Sequence, residues 1–577
     1  MGLLDLGIRR GGAGGGTMPQ LTVTGPTLIA EGTGGATNAT FTVTLARNGF
    51  TGSVAFGWSV AGTGAAPVDP GDFAGGVLPS GSGTFAAGET VKTVTLSIAG
   101  DAVVEADETL RLSVTATVPL DVATATATIG NDDTAAAAPA ALLMGSRHAQ
   151  PGFNGYTGSD GTDTDSNARI GSYNETGATV TRLRAYFVNW MATATSEQDG
   201  YNSITVRAAV EYPAGTFTPL AFGGTAAVAI PASGTASLAE SDEAVLATPI
   251  PAGALYWVRT WVSVASGGRW PQAYLIMASG ASGLGDAVDF NTGVDRTQSG
   301  TITNATASAT RRGYGPVAVK ATGFDGTPVA RAFAAVGDSI IMGANDASDP
   351  AAVGHGNAGY FAKAAAGRYP VLNLGISGTA AMYNLPAAFT RRAALLAKVG
   401  VTHVFCDWGI NDVSGGRSAA QIQADISTIA RGFKNAVPGV VVTWTTLTPR
   451  TTSTDGFRTA GAQSVHTNSG FVGGSSSPRA TVNAALRAGN IVGVDRVFEA
   501  ADAVEVNAAN VPTRDGGLWI SGNGGAGATS QHLTTTGATS DVATGDGLHP
   551  GVINTASPGY GGIYILRDAV RAVFDGW

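Results

Sequence analysis

Val336-Gly337-Asp338-Ser339-Ile340 decides how the C-terminal part of the chain is read. The short apolar run Ala332-Phe333-Ala334-Ala335-Val336 leads into it, and Ile341-Met342-Gly343 and a polar loop follow. A buried strand that stops at Gly-Asp-Ser leaves a hydroxyl at the carboxyl end of a sheet, where open α/β folds bind their ligands. Glycine permits a sharp turn, and a helix start behind it aims backbone N–H groups at whatever Ser339 attacks. The tripeptide alone also reads as an ordinary turn. Its meaning therefore rests on partners elsewhere in the chain.

From Arg331 onward, apolar strands alternate with helical patterns, which predicts a parallel sheet covered on both faces. A helix is expected around 356–368, then a strand over 370–374 that ends in Gly375-Ile376-Ser377-Gly378-Thr379. A helix over 387–398 leads to the strand 401–406, which ends in Asp407-Trp408-Gly409-Ile410-Asn411-Asp412. Ile422, Ile426, Ile429 and Phe433 recur at helical spacing and mark one buried stripe. Three successive strand ends thus meet at one edge of the sheet. Near the C-terminus Gly545-Asp546-Gly547-Leu548-His549-Pro550 precedes a last helix near 562–574. Asp and His three apart share one side of a turn, so the carboxylate can fix the imidazole tautomer and support the imidazolium. Of the 6 histidines only His549 has a carboxylate three residues before it.

These four blocks, in this order, resemble an SGNH (GDSL-type) hydrolase over residues 331–577. The resemblance implies a flavodoxin-like three-layer α/β catalytic domain, bounded here as 326–577, that needs no cofactor for catalysis. It implies Ser339 as nucleophile, His549 as base and Asp546 as the group that orients it. It also implies an oxyanion hole from the N–H groups of Ser339 and Gly378 and the Asn411 amide, with an acyl-enzyme intermediate. Taken singly, Gly378 also reads as a turn residue, Asn411-Asp412 as a helix cap and Asp546 as a loop cap. The Gly-, Ser- and Thr-rich inserts 449–476 and 507–544 are expected at the rim or lid of the cleft.

Upstream, the text is β. Residues 1–17 end in Gly11-Gly12-Ala13-Gly14-Gly15-Gly16 and read as a flexible tether. Over 18–134, alternating stretches such as Thr40-Phe41-Thr42-Val43-Thr44-Leu45 are separated by turn clusters at the spacing of a β-sandwich. Gly88-Glu89-Thr90 and the run carrying Asp101, Glu105 and Glu108 make this region resemble a Calx-β repeat. That resemblance implies structural calcium, with Glu31, Asp72, Asp101, Glu105, Glu108, Asp132 and Asp133 as candidate ligands. Gly100 and Asn131 stand where calcium-binding members often carry further carboxylates, so a spacer with solvated acidic loops is the competing reading. Residues 135–141 are a linker by composition, and 142–325 read as a second, accessory β-sandwich, a candidate carbohydrate-binding domain. In Leu255-Tyr256-Trp257-Val258-Arg259-Thr260-Trp261, alternation puts Trp257, Arg259 and Trp261 on one face. That face is either a sugar-stacking platform or a sheet face covered by the catalytic domain. Asp160, Asp163 and Asp165 hint at an ion or glycan contact. The fold class expected is multidomain: two all-β sandwiches followed by the α/β domain.

Composition narrows the function. With 83 glycines and only 13 % charged residues, the 577-residue chain is too apolar for disorder and suits short strands with tight turns. A net charge of −9 without a basic cluster argues against nucleic acid and anionic membrane as partners. The single cysteine, Cys406, excludes an intramolecular disulfide and reads as a buried structural thiol. No stretch is long enough to span a bilayer, and residues 1–10 lack the pattern of a secretory signal peptide. The expected function is a carbohydrate O-acetylesterase acting on an acetylated polysaccharide outside the cell or on a virion or particle surface, attached through its N-terminus. The competitors are a lipid or aryl-ester hydrolase of the same class and a non-catalytic glycan-binding or adhesive protein, such as a phage tail component.

Overall fold

The computed structural model describes residues 18–32, 34–101, 105–118, 120–122, 124–131, 139–148, 163–271, 284–303, 313–344, 346, 357–521, 533, 542–551 and 561–574. The tether 1–17, Asp132, Asp133, Asp160 and most of the 135–141 linker lie outside these. The chain forms two compact units, Met1–Ala137 and Ala138–Trp577.

In the first unit, alternation builds two sheets. One runs in the order Val91–Gly100, Gly35–Ala46, Gln20–Thr24, Leu120–Val122; the other in the order Leu28–Ala30, Thr124–Gly130, Glu108–Ala116, Val54–Gly62, Ser80–Phe85. Every second side chain turns inward, so Leu21, Phe41, Val43 and Leu45 meet Phe56, Leu110, Leu112 and Val114 in one core. This unit is a β-sandwich.

The second unit joins the accessory β region to the α/β domain. Thr179–Val188 and Ala318–Asp325 pair at the centre of one accessory sheet. Ala185 and Phe187 turn toward the accessory core, whereas Tyr186 and Val188 turn into the core of the α/β domain. Leu142 and Leu143 join that second core, and the Tyr186 hydroxyl donates to the Lys398 carbonyl at 3.1 Å. The period of 2 along a strand thus serves two cores at once. The accessory region contributes side chains to the core of the hydrolase as well as to its own.

Of the face carrying Trp257, Arg259 and Trp261, the first two are covered, and among the described residues the cover comes from 284–300 rather than from the catalytic domain. Trp257 Nε1 donates to the Leu284 carbonyl at 2.7 Å, and the Arg259 guanidinium reaches the carbonyls of Arg296 and Gly300. The Arg169 guanidinium lies 3.8 Å above the Trp257 ring. Glu211 bonds both Arg169 and Arg259, and these cations hold its carboxyl down at about 2 against the opposing effect of burial. Asp163 and Asp165 receive Asn291, Thr292 and Gly293, which ties down the same covering segment.

In the α/β domain five parallel strands run in the order Val371–Asn373, Phe333–Val336, His403–Cys406, Val441–Thr445, Arg496–Phe498. Phe333 pairs with both Val371 and His403, so the first strand sits beside the second and third. The direction of winding reverses there, which opens a crevice at the carboxyl edge. The helix Ala419–Ala436 buries Ile422, Ile426, Ile429 and Phe433, and Gly562–Val573 closes the fold. Cys406 is fully buried. Among the described residues no helix is long and apolar enough to cross a membrane.

A two-stranded hairpin, Trp190–Ala192 with Glu197–Asp199, leaves the accessory region and belongs to neither of its sheets. Trp190 and Ala192 sit in the α/β core. Glu197 accepts from the N–H groups of Arg391 and Arg392 at the start of the helix Thr390–Leu396 and pairs with the Arg392 guanidinium at 2.9 Å. Both side chains are almost wholly buried, so losing one partner of this pair costs about 3–5 kcal/mol.

Candidate active site

Ser339 opens the one-turn helix Ser339–Met342, capped by Asp338, whose carboxylate accepts from the Ile340 N–H at 2.8 Å. The glycine before it does not serve a left-handed backbone. A Cβ at Gly337 would lie 1.7 Å from Asp407 Oδ1 and 2.8 Å from Ile341 Cγ2. Glycine is required because the Asp407 carboxylate passes directly beneath the turn and accepts the Asp338 N–H at 3.0 Å. Asp407 was not among the expected site residues. Its signal in the sequence is only its place, directly after the strand that ends at Cys406.

Burial pushes the Asp407 carboxyl up to about 7, against the backbone N–H groups of Asp338 and Ile341 that favour its charged form. Burial, then the neighbouring Asp407, push Asp338 up as well. In the unfolded chain Asp407 titrates near about 3.9, so the folded protein holds an extra proton between that pH and about 7. The contribution of this carboxyl to stability is full below this window and is lost as pH rises through it. Asp407→Asn keeps an acceptor for the Asp338 N–H and removes the titration. The variant is expected to show a smaller loss of Tm between pH 4 and 7 than the parent protein, as a thermal-melt series reads directly. An identical pH slope would refute this.

The second block is fixed by its threonine. Thr379 Oγ1 bonds the carbonyls of Gly337 and Ile376 at 3.0 and 2.8 Å and accepts from Trp408 Nε1 at 2.8 Å. One side chain therefore ties three strand ends together. Gly378 has φ +75, a conformation that favours glycine. Among the described residues, neither the Ser339 nor the Gly378 N–H donates to another group. The Asn411 amide donates to the Thr379 carbonyl at 2.8 Å and more weakly to Asp338 Oδ2 at 3.3 Å. Asn411-Asp412 is not a helix cap: Gly409 caps the helix Ile410–Ser414, and Asp412 accepts the N–H groups of Ala381 and Met382.

The last block closes over Ser339. His549 Nε2 lies 2.7 Å from Ser339 Oγ, and His549 Nδ1 lies 2.6 Å from Asp546 Oδ2. Asp546 Oδ1 accepts the N–H groups of Leu548 and His549 at 2.9 and 2.8 Å. Partial burial alone would raise the Asp546 carboxyl; the His549 side chain and these two N–H groups outweigh it and hold it well below the usual carboxylate range. Of the inserts, Thr451–Ser453 and Gln463–Val465 pair as a small hairpin, and the Thr451 N–H donates to the Gly547 carbonyl at 2.9 Å. The insert thus buttresses the turn that presents His549.

The acidic end of the N-terminal sandwich brings fewer groups together. Burial, then Asp72, Glu105 and Asp69, push the Glu108 carboxyl up to about 7. Asp72 also closes a capping box on Asp69, with its carboxylate accepting the Asp69 N–H. Glu31 is buried and its main-chain carbonyl accepts from the Thr37 hydroxyl, and Asp101 follows the end of Val91–Gly100. Among the described residues no group of three or more Asp, Glu, His or Cys side chains is arranged to hold a metal ion. Asp132 and Asp133 lie outside the described residues.

Residues 335–472 match the model of the GDSL-like Lipase/Acylhydrolase family. Among solved structures, the chain is similar to a possible lipase from Chitinophaga pinensis DSM 2588, at 15% identity over 43% of this chain and 98% of that one, with a TM-score of 0.25. It is also similar to the apo-form Calx CBD1 domain, at 15% identity over 20% of this chain and 99% of that one, with a TM-score of 0.17. No curated protein matches the chain.

Proposed function

We propose, from the premise that residues 335–472 are a GDSL-like lipase/acylhydrolase domain, that the chain is a serine esterase that removes O-acetyl groups from a polysaccharide. The observation that carries the esterase chemistry is the unbroken line of hydrogen bonds from Ser339 Oγ through His549 to Asp546. His549 Nε2 removes the Ser339 proton as Oγ attacks the ester carbonyl. The oxyanion that develops is received by the Ser339 and Gly378 N–H groups, with the second Asn411 amide proton exchanging its long bond to Asp338 for the substrate oxygen. His549 then gives its proton to the sugar oxygen as the C–O bond breaks, so the sugar leaves as its hydroxyl, and water releases acetate from Ser339 by the same route in reverse. Asn411 has a second task, since its short bond to Thr379 holds the Gly378 turn.

The carbohydrate part rests on organisation: two β regions precede the hydrolase, which suits a large, surface-bound substrate better than a soluble metabolite. Acetate release from a panel of acetylated polysaccharides, with Ser339→Ala as control, tests it. Release only from acyl lipids or aryl esters would defeat the glycan assignment while leaving the esterase.

Calcium uptake by the N-terminal sandwich is part of the same proposal. Its support is the crowding of carboxylates around Glu108, which a divalent cation relieves. The described carboxylates do not make a cage alone, so Asp132 and Asp133 would have to complete it. Millimolar calcium is expected to raise the melting transition of the full chain relative to chelator. A transition that calcium leaves in place reduces this sandwich to a spacer.

A further inference from the structure

The accessory region reaches the oxyanion loop. A Cβ built on Gly378 would lie 3.5 Å from Ala194 Cβ, in van der Waals contact. Ala194 is the tip of the hairpin Trp190–Asp199, partly exposed, between two strands whose roots are anchored in the α/β domain. Thr193 fixes the tip: its N–H donates to the Ser196 carbonyl at 2.8 Å, and its Oγ1 accepts the Ser196 N–H at 3.2 Å. Below the tip, Glu197 holds Arg392, Arg392 donates to Asn384 Oδ1 at 2.8 Å, and Asn384 donates to the Ala380 carbonyl at 2.7 Å. Ala380 lies two residues beyond Gly378. One connected set of bonds therefore runs from the accessory hairpin into the loop that carries an oxyanion donor.

We infer that the hairpin is a specificity element of the esterase site, with Ala194 as the wall that limits the acyl group to a short one. The inference rests on the esterase proposed above and adds to it the class of acyl group. In the tetrahedral intermediate the carbonyl carbon holds Ser339 Oγ, the oxyanion, the leaving oxygen and the acyl chain. The leaving oxygen must face His549 Nε2 to receive its proton, and the oxyanion faces the Gly378 N–H. The hairpin packs on the Gly378 loop and on the helix Thr390–Leu396. It bounds the direction left to the acyl chain. Because the Ala194 methyl stands 3.5 Å from where a Gly378 side chain would begin, that direction is assigned to an acyl group of acetyl size.

The test compares Ala194→Gly and Ala194→Leu with the parent protein on two ester series. One varies the acyl chain from acetate to hexanoate at constant nitrophenol; the other varies the alcohol at constant acetate. The expected result is that Ala194→Gly raises kcat/KM for the longer acyl esters relative to acetate by about tenfold, the scale of one or two methylenes in a pocket. Ala194→Leu is expected to lower all acyl esters beyond acetate further, and neither change should alter the alcohol preference. Unchanged Tm in both variants shows that the fold is intact. An acyl profile that stays within twofold in both variants, or a shift confined to the alcohol series, overturns the inference and leaves the esterase standing. A parent protein inert on every ester overturns the esterase proposal and this inference with it.

Discussion

Ser339→Ala is expected to lower kcat for acetyl esters on the order of 10⁶-fold, while KM stays within a few fold. The size follows from how the groups act together. Among the described residues Ser339 Oγ is the only hydroxyl bonded to His549 Nε2, so without it the base has no nucleophile to activate. Activity then falls to what the Ser339 and Gly378 N–H groups and substrate binding supply by polarising the carbonyl for direct attack by water, a residue of about 10³–10⁴ over the uncatalysed reaction. The change is mild for the fold: Ser339 is buried, its side chain bonds only His549 among the described groups, and the Asp338 cap on the helix is untouched. Tm should therefore stay near that of the parent protein. A rapid burst of nitrophenol from the parent, absent in the variant, would report the acyl-enzyme. A variant that keeps more than a tenth of parental turnover would remove Ser339 from the mechanism.

What could be read in the chain, and what could not, divides by distance. The positions of Ser339, His549 and the loops carrying Gly378 and Asn411 could be anticipated because each stands at a strand end or tight turn, where local pattern fixes position. Their mutual approach then follows from the strand order, with Phe333 paired to both Val371 and His403. The role of Gly337 was not legible. Its neighbour Asp407 lies on another strand, and only the parallel register that pairs Val336 with Cys406 brings the carboxylate beneath the turn. The aromatic face of the accessory sheet failed for the same reason. Alternation puts Trp257, Arg259 and Trp261 on one side, but the partner strand sets Arg169 opposite Arg259 and so brings a second cation onto that face. Composition gave no warning that Glu197 and Arg392 would form a buried pair. One strand, Thr179–Val188, fills the accessory core with Ala185 and the α/β core with Tyr186, which alternation alone does not reveal.

Asp546→Asn is expected to lower kcat by about 10⁴-fold with little change in KM or Tm, although it is nearly isosteric. The reason lies in which oxygen does what. Asp546 Oδ1 accepts two backbone N–H groups, from Leu548 and His549, so an asparagine must keep its carbonyl oxygen there. Its amide NH₂ then faces His549 Nδ1, where Asp546 Oδ2 now stands at 2.6 Å. Two donors cannot share that bond, so Nδ1 gives up its proton and becomes the acceptor. The neutral ring must then carry its hydrogen on Nε2. That hydrogen points at Ser339 Oγ, 2.7 Å away, and donates to the hydroxyl instead of taking its proton. The geometry survives while the base is lost. Loss of the carboxylate also leaves the imidazolium of the transition state without its counter-charge. The measurement is kcat for nitrophenyl acetate, with Asp546→Ala beside it. Because the alanine variant imposes no tautomer, it is expected to be no slower than the asparagine variant despite the larger deletion. Asp546→Asn retaining activity within tenfold of the parent would mean that the carboxylate is a loop cap and that His549 is oriented by something else.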